Sequence, residues 1–173
     1  MSKLSPSNNI NNLVIIGHMG SGKSTIGLYL AKKLSYSFID TDELIVKRIK
    51  MSISEYFKNF GEKEFRLIEE KTILDLLDKN TKNIIAFGGG AFQSFRVRQS
   101  VKKNATSIWL KCDLKTLAFR CSRKKNRPLL QDKNIKSVLK KLNKLRADNF
   151  AKANYIFNVS KKTKSKLTNE IID

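Results

Sequence analysis

The chain has 173 residues, 40% of them apolar and 29% charged, with a formal net charge of +20. Such a content suits one α/β domain with a sizeable core, and it excludes a disordered chain and a membrane-embedded one. No stretch approaches the roughly 20 apolar residues of a transmembrane helix.

Met1 to Asn12 is polar and asparagine-rich, without the apolar centre of a signal peptide. Residues 1–11 are expected to form a disordered tail. Leu13 to Ile16 reads as a short buried strand and runs into Gly17-His-Met-Gly-Ser-Gly-Lys-Ser24, a complete G-x-x-x-x-G-K-[ST] loop. Apolar residues at helical spacing then follow from Lys23 to Ser35, with Ile26, Leu30 and Leu34 on one stripe. Strand, glycine loop and helix together form the context in which this motif cradles phosphate. Backbone N–H groups point at one anion, and the helix presents its positive dipole end. Lys23 would reach the β- and γ-phosphates, and the Ser24 hydroxyl a Mg²⁺ ion, so the motif implies a nucleoside triphosphate site.

Phe38-Ile39 is a second strand and ends at Asp40-Thr41-Asp42. A helix is predicted from Glu43 to Lys50, a short one after the capping-box pattern Ser52-x-x-Glu55, and a long one from Glu62 to Asp78. Asn83 to Phe87 forms a third strand leading into Gly88-Gly89-Gly90. A helix near Phe95 to Lys102, a strand from Ser107 to Leu110 and a helix from Asp113 to Ser122 come next. Arg123 to Gln131 reads as a mobile loop, Lys133 to Lys152 as a helix, Tyr155 to Val159 as a fifth strand, and a short helix closes the chain. Alternating strands and helices imply a three-layer α/β/α fold around a five-stranded parallel sheet, as one domain over residues 1–173.

The charge is concentrated toward the C-terminal end. Residues 111–166 hold 18 lysines and arginines against Asp113, Asp132 and Asp148. A basic face can bind phosphate polymers. Here the excess is mostly lysine, scattered with asparagine and isoleucine, and no stacking aromatics are interleaved with the basic run. No specific nucleic-acid partner is therefore expected. Cys112 and Cys121 lie nine apart with no second pair, which points to free thiols in a reducing cytosol rather than to a disulfide or zinc site.

In a parallel sheet, ligands gather beyond the carboxyl ends of the strands, and three strands here end in chemically loaded turns. Asp40 and Asp42 could divide the labour of phosphoryl transfer, one toward a metal and one toward an attacking hydroxyl. Alone, Asp-Thr-Asp-Glu reads more readily as a helix N-terminus, where the dipole favours acids; the phosphate loop nearby tips the reading toward chemistry. The glycine triplet leaves backbone uncovered for a ligand to lie against. Arg66, taken alone, reads as a surface ion pair with Glu62 or Glu70 at helical spacing. His18, the only histidine, has no partner apparent in sequence and reads as structural, as do Trp109 and both cysteines.

Five blocks in this order and spacing resemble the shikimate kinase family, one of the nucleoside-monophosphate-kinase-like P-loop enzymes. They are Gly17 to Gly27, Asp40-Thr41-Asp42, Gly61 to Arg66 with Glu69-Glu70, Gly88 to Ala91, and Arg127-Pro-Leu-Leu130. The resemblance spans about Leu13 to Val159. It implies transfer of the γ-phosphate of ATP to the 3-hydroxyl of shikimate by a monomeric cytoplasmic enzyme with no membrane partner. It also implies roles. Gly20, Ser21, Gly22, Lys23, Ser24 and Thr25 match the ATP-binding loop, and Ser24 and Asp40 the Mg²⁺ environment. Asp42 matches the candidate base that holds the substrate hydroxyls, and Arg66 a grip on its carboxylate. Gly88, Gly89 and Gly90 match the surface under the ring. Arg120 matches the arginine flanking adenine, and Arg127 the arginine of a mobile lid at about 122–132, catalytic with Asp42 and Lys23. Arg146, in Arg146-Ala-Asp-Asn-Phe150, matches a second carboxylate-binding arginine, with phenylalanine where the family commonly has tyrosine. No proline follows Pro128, so the family's adenine contact has no match at 160–165.

Overall fold

A computed structural model describes residues 12–79, 81–122, 134–160 and 162–173. The strands are β1 (Asn12–Ile16), β2 (Ser37–Asp40), β3 (Asn83–Ala86), β4 (Ala105–Lys111) and β5 (Tyr155–Asn158). They form one sheet in the order β2-β3-β1-β4-β5, with every pairing parallel. The helices are α1 (Lys23–Leu34), α2 (Thr41–Ile49), α3 (Ile53–Leu77), α4 (Phe95–Asn104), α5 (Leu114–Ser122), α6 (Ile135–Phe150) and α7 (Lys164–Ile172).

The central strand shows why the sheet must be covered on both sides. All five of its residues are buried, and its side chains alternate between faces. Leu13 and Ile15 pack with Ile26, Leu30 and Ala31 of α1 and with Leu167 and Ile171 of α7. Val14 and Ile16 pack on the other face with Ile73, Leu76 and Leu77 of α3, Val97 and Val101 of α4, and Phe150 of α6. The expected α/β/α layering is therefore present, and the continuous apolar run Leu-Val-Ile-Ile is its cause.

Element ends differ from the sequence expectation in places where a cap decides them. Helix α2 starts two residues earlier, at Thr41, because the Asp40 carboxylate accepts the backbone N–H of Asp42 at 3.0 Å. The capping box at Ser52 and Glu55 is formed in both directions. The short and long helices expected around it run on as α3, with a break at Gly61 (φ 84°, ψ 166°). A 3₁₀ turn at Ala91–Gln93, absent from the sequence reading, follows the glycine triplet. Strand β4 is longer than expected at both ends. Helix α6 is shorter, starting at Ile135 behind an Asn134 cap and ending at Phe150. The predicted loop, residues 123–131, lies outside the described residues, as does the lid expected at about 122–132 apart from Ser122, which ends α5, and so does Arg127. No described helix is long and apolar enough to cross a membrane.

Candidate active site

Because all pairings are parallel, the turns after β1, β2 and β3 emerge on one rim of the sheet. Because β3 lies between β2 and β1, the glycine triplet sits between the aspartate turn and the phosphate loop. Contacts on both sides bear this out. The Gly88 N–H donates to the buried Thr41 hydroxyl at 2.9 Å. On the other side, a methyl group on Gly89 would sit 3.7 Å from the Met19 nitrogen and 3.9 Å from the Gly17 carbonyl oxygen.

The phosphate loop is shaped by its glycines, most clearly at Gly22. This residue caps α1 in the left-handed region, with φ 96° and ψ 18°, where an L side chain is strained whatever the space around it. Lys23 curls back over the loop, its Nζ donating to the carbonyls of Gly17 (3.0 Å) and His18 (3.2 Å). The Ser24 hydroxyl donates to Asp40 Oδ2 at 2.6 Å. Asp40 thus uses both oxygens: one caps α2, as its sequence context allowed, and the other accepts from Ser24. A hydroxyl beside a carboxylate oxygen at a phosphate loop fits Mg²⁺, which takes hard oxygen ligands and is held by few protein groups plus the phosphates. Among the described residues no cluster of three or more His, Cys, Asp and Glu could hold a metal by itself, and Mg²⁺ on a nucleotide needs none. From the far side, Arg120 of α5 donates to the Gly20 carbonyl at 3.2 Å.

The acceptor side is defined by what crowds the glycines. A methyl group on Gly88 would lie 2.5 Å from Asp42 Oδ1 and 2.7 Å from Glu69 Oε1. On Gly90 it would lie 2.6 Å from the Arg66 guanidinium carbon, and on Gly89 3.3 Å from Arg146 Nη1. Asp42, Arg66, Arg146 and the triplet, far apart in sequence, are therefore brought together. A cleft of about 790 Å³ opens here, lined in part by Arg66, Glu69, Gly90, Gln93 and Arg146.

Two arginines in one cleft repel, and Glu69 makes their proximity tolerable. Arg66 pairs with Glu69 at 2.6 Å and with Glu62 at 2.7 Å. Glu70, one of the two partners its spacing suggested, pairs instead with Arg96 at 2.9 Å and accepts from Ser94 at 2.5 Å. Burial would lower the Arg66 pKa, but Glu69 and Glu62 outweigh it and hold the group above its usual range. Burial raises the Glu69 carboxyl, with Asp42 adding to the shift while Arg66 and Arg146 oppose it. Arg146 is buried and lowered, first by desolvation and then by repulsion from Arg66.

Sequence reasoning assigned no role to Glu69, yet it carried a signal. Phe65, Thr72, Ile73 and Leu76 form the buried stripe of α3, and Glu69 stands in the middle of it, 2% exposed. A carboxylate in such a stripe requires a cation or a donor. Thr41 was also missed, because its tie to Gly88 depends on β2 and β3 being neighbours. His18 has a partner after all: its Nε2–H donates to Asn143 of α6 at 3.1 Å, and its ring meets Phe150 edge-on at 5.1 Å. Trp109 and Cys121 are buried, Cys112 packs against the core, and neither cysteine is in a disulfide.

The family model for shikimate kinase matches residues 19–173. The chain is 45% identical over 160 residues to a shikimate kinase of Bartonella henselae, covering 92% of this chain and 76% of the relative. Over the same length it is 43% identical to that of Bartonella quintana, with the same coverage. Among solved structures it is similar to shikimate kinase from Acinetobacter baumannii in complex with shikimate. That match has a TM-score of 0.89 and 30% identity, over 94% of this chain and 90% of the other. A gluconokinase from Sinorhizobium meliloti, 15% identical with a TM-score of 0.64 over 94% of this chain and 89% of its own, shares the fold alone. With a family model matched over residues 19–173, relatives 43% and 45% identical over 92% of the chain, and a structural match at a TM-score of 0.89, the chain belongs to the shikimate kinase family.

Proposed function

We propose that the chain transfers the γ-phosphate of ATP to the 3-hydroxyl of shikimate, as a cytoplasmic monomer using Mg²⁺. The observation that carries the acceptor assignment is the cleft lined by Arg66, Arg146 and Gly90, with Asp42 against the neighbouring Gly88. Shikimate bears one carboxylate and three hydroxyls on a ring. Two guanidinium forks suit the carboxylate, uncovered backbone suits the ring, and a carboxylate beside the phosphate loop suits the hydroxyls. Asp42 would accept the proton of the attacking hydroxyl or orient it. Lys23 would exchange its loop carbonyls for phosphate oxygens when nucleotide arrives. Bound Mg²⁺, held through Ser24 and Asp40, would supply charge neutralisation on the phosphates. Arg120 would flank the nucleotide, and Arg127 would add positive charge at the transferring phosphoryl.

The Arg66→Ala variant tests the site. Loss of a bidentate, charge-assisted contact of about 3 kcal/mol is expected to cut kcat/KM for shikimate on the order of a hundredfold. ATP affinity, measured by nucleotide titration, should stay within about twofold. Wild-type turnover in a coupled ADP-release assay would return Arg66 to a surface ion pair.

A further inference from the structure

Arg146 is buried, and no hydrogen bond ties its guanidinium to any described residue. Its aim over Gly89 must therefore come from the placement of α6 itself. Two polar contacts join that helix to the site, three residues to either side of Arg146. Asn143 accepts from His18 of the phosphate loop at 3.1 Å, and the Asn149 Nδ2 donates to Gln93 Oε1, on the turn after the glycine triplet, at 2.8 Å. Positions 143, 146 and 149 lie within about 120° of one another on a helix, so a single face carries both ties and the arginine between them.

Both ties come at a cost. The second polar atom of each partner, His18 Nδ1 and Gln93 Nε2, is buried without a hydrogen bond among the described residues. Apolar side chains of similar size would leave no such orphan and would pack more cheaply there. A costly pair of polar contacts, both gripping one helix and both rooted in turns of the site, fixes position rather than adding stability.

We propose that His18 and Gln93 are positioning residues. Acting through Asn143 and Asn149, they hold α6 so that Arg146 faces the carboxylate of the acceptor, and they link that helix to the nucleotide loop and the glycine turn. The inference rests on the proposed shikimate kinase activity, and shikimate is the probe.

His18→Leu and Gln93→Met each remove one tie and its orphaned atom together. Both are expected to raise KM for shikimate about five- to tenfold, leave KM for ATP within about twofold, and keep or raise Tm. His18→Gln, which restores a donor toward Asn143, should bring KM for shikimate back toward the wild-type value. In an Arg146→Lys background, Gln93→Met should add little, because its effect passes through Arg146. If either variant fails to fold, Asn149→Ser cuts the Gln93 tie from the helix side and is judged by the same outcomes. Wild-type KM for shikimate in folded variants, or full additivity with Arg146→Lys, overturns the proposal while leaving the activity standing. Absence of shikimate-dependent ADP release in the wild-type chain would instead overturn the proposed function, and this inference with it.

Discussion

Of the titratable side chains near the phosphate loop, His18 carries the clearest consequence for stability. Burial pulls its pKa from 6.5 down to about 4; the bond to Asn143 opposes this, while Arg146 and Lys23 add to it. Above pH 6.5 the imidazole is neutral in the folded and unfolded chains alike, and the group contributes no pH dependence. As pH falls from 6.5 toward 4, the unfolded chain takes up a proton that the folded chain refuses. Stability is therefore lost across that window, by up to about 3 kcal/mol, and the loss levels off below pH 4. Urea midpoints recorded from pH 7 to pH 4.5 are expected to fall less in His18→Leu than in the wild-type chain. Parallel profiles would mean that His18 is protonated in the folded state. Nothing in the sequence around His18 announced this environment, because its partner lies 125 positions away. Arg66 was legible as an arginine with acidic neighbours. Its choice of Glu69 over Glu70 depended on which face of α3 turned inward.

At the scale of elements, the glycine turn after β3 is where three separate segments touch. Its open backbone is required by close approach: a single methyl on Gly90 would collide with the Arg66 guanidinium. Gly90 has φ −104°, a conformation any residue adopts, so Gly90→Ala should fold while pushing Arg66 aside. KM for shikimate is expected to rise at least tenfold with nucleotide affinity unchanged. Unaltered shikimate kinetics would show that Arg66 relaxes without consequence. The turns themselves were legible, since a strand ending in Gly-Gly-Gly or Gly-x-x-x-x-Gly-Lys-Ser has a local physical reason. Helix and strand identities were legible for the same reason, from apolar period and caps. What remained hidden was what distant segments impose: the Thr41 bond to Gly88, which needs β2 beside β3, and the ties from α6 to the turns after β1 and β3. No local pattern encodes either neighbourhood.

The whole molecule sets these turns within a strongly one-signed field. Its 35 lysines and arginines face 15 acidic residues, so at least 20 cations lack an acidic partner of their own. Lys23 and the inward guanidiniums Arg66 and Arg146 add to this field at the point where triphosphate and carboxylate would bind, which favours anionic ligands and opposes the compact apo fold. Screening length shrinks from about 30 Å at 0.01 M salt to about 10 Å at 0.1 M, so added salt should relieve repulsion across the surface. Raising sodium chloride from 0.01 to 0.2 M at pH 7.5 is expected to stabilise the chain by about 1 kcal/mol, a Tm increase of ~2–4 °C. Inorganic phosphate at equal ionic strength should raise Tm further, because it also occupies the loop that Lys23 and the α1 N-terminus form. The two effects separate in Lys23→Ala, which should keep the chloride increment and lose most of the additional gain from phosphate. A Tm indifferent to chloride would mean that repulsion among these charges is no greater in the folded chain than in the unfolded one. An undiminished phosphate gain in Lys23→Ala would place the bound anion elsewhere on the basic surface.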